Sequence, residues 1–152
     1  MATTATDAVT VRAITREDAA AVALLSGQLG YETTEKEMRQ RIEALPSDHL
    51  ALVACLNTEI VGWIEAEIAH HLQSPPHALI TGLVVKDGVR SLGIGRRLCS
   101  EVERWTLQQG LDTVRVTSRS TRERAHRFYL REGYVQTKTS AVFEKILSPD
   151  SA

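Results

Sequence analysis

Apolar residues alternate at Val9, Val11 and Ala13, which predicts a first strand over residues 9–14. Thr15 then offers an N-cap, with Glu17 and Asp18 in the first turn, where the helix dipole favours acids. Val22, Leu25, Ser26 and Leu29 follow at helical spacing, and Gly30 ends that helix. Met38, Ile42 and Leu45 share one face of a second helix over residues 34–45, which Pro46 stops. Strands over residues 50–56 and 60–69 come next, joined by a turn at Asn57-Thr58. In the second of these, strict alternation puts Ile60, Ile64 and Ile68 on one face and Trp63, Glu65 and Glu67 on the other. Ser74-Pro75-Pro76 reads as a break before a strand over residues 78–85.

After Lys86-Asp87-Gly88 the period changes from two to 3.6. Ile94, Leu98, Val102 and Trp105 form the stripe of a helix over residues 93–109, with Gly110 at a left-handed cap. A strand over 113–118, a helix over 121–132 capped by Gly133, and two last strands over 134–137 and 141–146 complete the pattern. The strand–helix–strand run over residues 78–118 implies a crossover unit with its two strands parallel, whereas the earlier meander is antiparallel. The pattern is that of a mixed-sheet α/β (α+β) domain over residues 9–147, between a frayed stretch 1–8 and a flexible tail 148–152.

Composition narrows the function classes. A chain of 152 residues with 43% hydrophobic and 24% charged positions is ordinary globular material with room for one sizeable core. Eighteen basic residues against nineteen acidic ones leave a net charge of −1, so there is no global pull towards nucleic acid or an anionic membrane. Cys55 and Cys99 each sit in an apolar segment and read as buried thiols of a reducing, cytoplasmic compartment. The first eight residues lack the basic and apolar regions of a secretory signal, and no apolar run approaches the roughly 18 residues of a membrane span.

One segment departs from this balance of charge. Arg90-Ser91-Leu92-Gly93-Ile94-Gly95-Arg96-Arg97 lies between a strand and a helix and reads as an anion cradle. The glycines let backbone approach a ligand, the helix start offers unpaired N–H groups, and three arginines add charge. A pyrophosphate suits it. A dinucleotide fingerprint would need a small residue where Leu98 stands, and a P-loop would need Gly-Lys-Ser/Thr.

Leu83-Val84-Val85 followed by Arg90-x-x-Gly93-x-Gly95 resembles motif A of the GNAT acetyltransferase superfamily, and Ala125-His126-Arg127-Phe128-Tyr129-x-x-x-Gly133-Tyr134 resembles its motif B. The resemblance covers nearly the whole chain and implies a mixed sheet of six to seven strands flanked by about four helices. It implies acetyl-CoA as acyl donor and no metal, with the pyrophosphate on the N–H groups from Leu92 to Arg97. The pantetheine arm would lie beside Leu83, Val84 and Val85 like an added strand. Arg122 stands where many members carry a pantetheine-binding Asn, and it is counted with Phe128 among cofactor positions. Of the aromatic pair, Phe128 is assigned to the core and Tyr129 to the cleft, where its phenol would protonate the departing thiolate. A homodimer through the late strands is common in the family.

A protonated amine must also lose a proton before it attacks. Glu65 is the first candidate base; Glu67, His70, His71 and His77 are the others. Adjacent His70 and His71 point oppositely in a strand, and with no Cys-x-x-Cys or helical His pair a zinc site is not expected. The resemblance implies that the loop after the first helix lines the acceptor pocket, so Tyr31 and Glu32 are expected to touch the acceptor together with Glu67. The acceptor is expected to be a small amine of aminoglycoside or polyamine type. A protein N-terminus or lysine is the variant, and a CoA-binding sensor without turnover is the reading from another class.

Overall fold

A computed structural model describes residues 9–151; the expected frayed stretch 1–8, Ala152 and the side chains of Ser91 and Ser151 lie outside the described residues. β1 (Val9–Ala13) leads through a short 3-10 turn at Arg16–Asp18 into α1 (Ala19–Gln28). The entry is pinned by charge. Asp18 is buried, and its carboxylate accepts from both Arg12 guanidinium nitrogens, at 2.7 and 2.8 Å, and from the Thr15 N–H at 2.8 Å. The Arg12 hydrogen bonds hold the Asp18 carboxyl below its ordinary value, and the same pair raises Arg12. α2 (Glu35–Glu43) starts on a capping box: Thr34 Oγ1 accepts from the Glu37 N–H, and the Glu37 carboxylate accepts from the Thr34 N–H.

β2 (His49–Leu56), β3 (Glu59–His71) and β4 (Ser74–Val85) then form an antiparallel meander beyond β1. α3 (Ile94–Gln108) crosses back to β5 (Val114–Val116), which pairs in parallel with β4, giving the order β1-β2-β3-β4-β5. On one sheet face Val53, Cys55, Ile60 and Trp63 meet Val22 of α1 and Met38 of α2. On the other Gly62 faces Ile94 and Leu98 of α3. Both cysteines are buried and free. α4 (Glu123–Arg131) belongs to a second compact unit that begins at Ser118, the first reaching to Thr117.

Four expectations need correction. Ile60 does not share a face with Ile64. Ala54 pairs with Gly62 and Cys55 with Ile60, so Val61 is an extra residue that turns Ile60 towards Trp63. Ser74-Pro75-Pro76 does not break the chain before a strand. A two-residue turn at 72–73 ends β3, and β4 begins at Ser74. The prolines fall in a register shift outside the β5 ladder, where their missing N–H groups cost no pairing. Phe128 is only half-buried, because one nine-residue helix and an irregular segment cannot enclose a ring within the second unit. The last two strands, 134–137 and 141–146, do not form, so the sheet has five strands rather than six or seven among the described residues. Val142, Phe143 and Ile146 are 92%, 91% and 88% exposed. Apolar composition alone does not hold a strand; its backbone needs a ladder, and no described strand pairs with this segment.

Candidate active site

The segment expected to act as an anion cradle is built on a backbone that only glycine adopts easily. The chain leaves β4 after Val85, passes Gly88 at φ +88°, makes a 3-10 turn over Arg90–Leu92 and enters α3 through Gly93 at φ +73°. A Cβ on Gly93 would meet no atom within 4 Å, so the space beside it is open. The α3 ladder begins with the Arg97 N–H donating to Gly93 O at 3.0 Å, and the amides of the preceding turn come before that ladder. No acid stands in the first turn. The helix therefore presents its partial positive end to this opening.

Side chains here divide by role. Ile94 is 1% exposed, so only its backbone faces the opening. Leu92 and Gly95 are half-buried and Arg96 is exposed. Arg90 Nε lies 3.0 Å from Asp87 Oδ1. The Arg97 guanidinium reaches back to donate to the Val9 carbonyl, tying α3 to β1.

β4 supplies an open edge beside that opening. Glu65 pairs with Gly82 and Ala66 with Ile80, which makes Thr81 an extra residue in β4. The parallel ladder to β5 ends at the same point, with Ile80 opposite Val116. A bulge bends its strand and increases the local twist. Beyond it Leu83, Val84 and Val85 stay paired with Ile64, Trp63 and Gly62 of β3, but no described strand covers their other edge. The result is a strand slot that runs towards the glycine turn.

A cavity of about 360 Å³ lies on the α1/α2 side of the sheet. Val22, Met38, Ile42 and Trp63 give it an apolar lining, and Tyr31, Thr33, Arg41 and Glu65 supply polar groups. The Trp63 indole N–H donates to Ser26 Oγ at 3.0 Å, and Ser26 Oγ–H donates to the Val22 carbonyl at 2.8 Å, so the ring is anchored to α1. Its other end lies over Gly82, where an added Cβ would come within 2.7 Å of Cζ3.

Glu65 and Tyr31 thus meet in one cavity, whereas Glu32 and Glu67 are not among its lining residues. The Glu67 carboxylate lies 3.1 Å from His49 Nε2, and Glu65 lies 3.6 Å from His49 Nδ1. His77 is buried, with Nδ1 3.0 Å from the Pro75 carbonyl oxygen and its ring edge-on to His71. His70 is exposed near the β3–β4 turn. Thr33 and Arg41 were not singled out from the sequence, and Trp63 and Ser26 were placed only on a strand face and a helix face. Met38 and Ile42 were singled out, but as a core face, and an apolar helical stripe has the same spacing whether it fills a core or lines a cavity.

In the second unit Arg122 precedes α4 and accepts the His126 N–H on its carbonyl at 3.1 Å. Phe128 and Tyr129 pack edge to face at 5.3 Å, and Tyr129 meets Tyr134 in the same manner at 5.8 Å. Gly133, at φ +95°, lets the chain turn so that the Tyr134 N–H reaches the Tyr129 carbonyl at 3.0 Å. Among the described residues no three potential metal-binding side chains cluster, and no helix is long and apolar enough to cross a membrane.

Comparison with known proteins bears on what these features serve. The family model described as "Acetyltransferase (GNAT) family" matches residues 18–134. The aminoalkylphosphonate N-acetyltransferase of Salmonella typhimurium is 34% identical over 118 residues, covering 75% of this chain and 73% of that protein. The aminoglycoside N(6')-acetyltransferase type 1 of Stenotrophomonas maltophilia is 27% identical over 149 residues, covering 93% and 96%. Among solved structures, an aminoglycoside 6'-N-acetyltransferase from Acinetobacter baumannii superposes with a TM-score of 0.78 at 22% identity, over 92% of this chain and 99% of that one. An aminoglycoside N-acetyltransferase in complex with CoA gives 0.80 at 17% identity, over 90% and 94%. The chain belongs to the GNAT family of acetyltransferases, enzymes that transfer an acetyl group from acetyl-CoA to an amine.

Proposed function

We propose that this protein N-acetylates the primary amine of a small molecule, by direct attack of the amine on acetyl-CoA. The observation that carries the reading is the open β4 edge leading to a left-handed glycine at a helix start. An extended amide-bearing arm fits the edge and a pyrophosphate fits the opening. Acetyl-CoA would supply the acyl group as a thioester. Leu83, Val84 and Val85 hold the arm through their backbone. The N–H groups of Leu92, Gly93, Ile94, Gly95, Arg96 and Arg97, with Ser91, bind the phosphates, and Arg90 and Arg96 add charge. Arg122 and Phe128 complete the proposed cofactor contacts.

Glu65 takes the proton from the ammonium, directly or through water, and Tyr31 orients the acceptor, whereas Glu32 and Glu67 stand outside the cavity that receives it. The support for Glu65 over Glu67 is its place on the cavity lining; Glu67 is taken up by His49. Tyr129 gives its phenol proton to the departing thiolate, a role supported by its motif B position. A cavity rather than a flat groove favours a small acceptor over a peptide. The two sequence relatives are named for an aminoalkylphosphonate and an aminoglycoside, one zwitterionic and one polycationic. The sequence itself suggested the aminoglycoside or polyamine type.

The proposal extends to one catalytic domain over residues 9–147, a cytoplasmic location, and a homodimer. The apolar side chains exposed along 135–147 support the dimer. The test is acetyl-CoA turnover, read as free thiol, over a panel of amines, with calorimetric titration of CoA. Binding without turnover of any amine would instead identify a CoA-binding module.

A further inference from the structure

The cavity under α1 and α2 carries one charge of each sign. Glu65 lines it from β3 and Arg41 from α2, while Met38, Ile42 and Trp63 make much of the remainder apolar. Arg41 donates through Nη1 to the neutral Thr33 hydroxyl at 3.2 Å. Among the described residues no carboxylate lies within ion-pair distance of it. Glu37, one turn earlier, turns its carboxylate back onto the Thr34 N–H at 3.1 Å and hydroxyl at 2.9 Å. Those two bonds, the backbone one first, hold the Glu37 carboxyl below its ordinary value, and the Arg41 charge adds to them more weakly without an ion pair. The guanidinium therefore keeps donors for a ligand, in the planar fork that matches an oxyanion.

We propose that the acceptor is a small zwitterion: a primary amine joined by a short apolar spacer to an anionic head. The amine lies at Glu65, the spacer against Trp63 and Met38, and the anion at Arg41 and Thr33. The proposal rests on the reading of the protein as an amine acetyltransferase and names the acceptor class for that same site. Charge argues against a polycation. Such an acceptor would bring several ammonium groups to a lining with one carboxylate and one guanidinium, and the latter repels them. The carboxylate is needed for proton removal whatever the acceptor, so Arg41 is the residue that selects.

The test compares kcat/KM for 3-aminopropylphosphonate, γ-aminobutyrate, propylamine and spermidine, with CoA release as readout. Loss of one charge-assisted contact corresponds to about ten- to a hundredfold, so the better acid-bearing amine should exceed propylamine by that factor. The phosphonate and carboxylate arms tell which head group the fork prefers. Arg41→Gln should bring the acid-to-propylamine ratio towards one, and Arg41→Lys should restore part of it. Arg41 is exposed on α2, so these variants leave the core intact. A ratio near one in the wild type, a preference for spermidine, or a ratio that Arg41→Gln leaves unchanged overturns the proposal and leaves acetyl transfer standing. No CoA release with any amine, from protein that still binds acetyl-CoA, overturns the acetyltransferase reading and this proposal with it.

Discussion

Gly82→Ala isolates one contact that joins the acceptor cavity to the β4 edge. The added methyl would stand 2.7 Å from Trp63 Cζ3 and 2.8 Å from Cη2. Ordinary carbon contacts are about 3.5–4.0 Å, so the ring must retreat by about 1 Å. It is not free to do so, because its N–H is bonded to the buried Ser26 hydroxyl. Overpacking of this kind costs about 1–3 kcal/mol, and a lost hydrogen bond about 1 kcal/mol more. Gly82 does not have a positive φ, so alanine strains no backbone there and recovers about 0.5–1 kcal/mol of strand stability. The expected net loss is about 1–3 kcal/mol, or about 2–4 °C in Tm for each kcal/mol. Urea unfolding at constant m-value would measure it. Trp63→Phe supplies the second arm, since phenylalanine lacks the distal ring atoms that the methyl meets. In that background Gly82→Ala should be neutral or slightly stabilising, for a coupling energy of about 1–3 kcal/mol. Equal losses in both backgrounds, or no loss in the wild type, would refute the contact argument. Because the displaced ring moves against the cavity, KM for the amine should also rise more than KM for acetyl-CoA.

Gly93→Val should weaken CoA about tenfold or more by calorimetry, through a strained φ and a branched side chain beside the phosphate position; wild-type affinity would remove the cradle from the site. Tyr129→Phe should fold and bind CoA normally while kcat falls by about ten- to a thousandfold, and full turnover with the true acceptor would make the hydroxyl structural. Asp18 is held below its ordinary 3.8 by Arg12, so its contribution is complete above that value and is lost as pH falls through the lower folded value. Thermal melts from about pH 5 down to 2 should therefore show a steeper loss in the wild type than in Asp18→Asn, and parallel curves would count against the ion pair.

The sequence by itself determined whatever depends on a residue and its near neighbours. Ile94, Leu98 and Val102 bury one side of α3 as their helical spacing predicts. Gly93 takes a left-handed conformation where the chain enters α3. Thr106 is the local exception: it is 1% exposed, while Trp105, expected in the stripe, is half-buried. Its hydroxyl is satisfied inside the helix by the Val102 carbonyl at 2.7 Å, so burial carries no polar penalty.

Tertiary structure decided what depends on pairing between distant strands. Val61 and Thr81 are ordinary strand formers, and nothing local marks them as extra residues. Each becomes one only because the partner strand has a residue fewer between the same two pairings. Those two residues decide that Ile60 turns to Trp63 and that β4 leaves β5 just before Leu83. Segment 141–146 shows the converse: it carries Val142, Phe143 and Ile146, all good strand formers, yet with no ladder partner among the described residues it stays irregular. The cavity follows the same logic. Tyr31, Arg41 and Glu65 lie on three separate stretches of chain, and only the packing of α1 and α2 across the sheet brings them to one space.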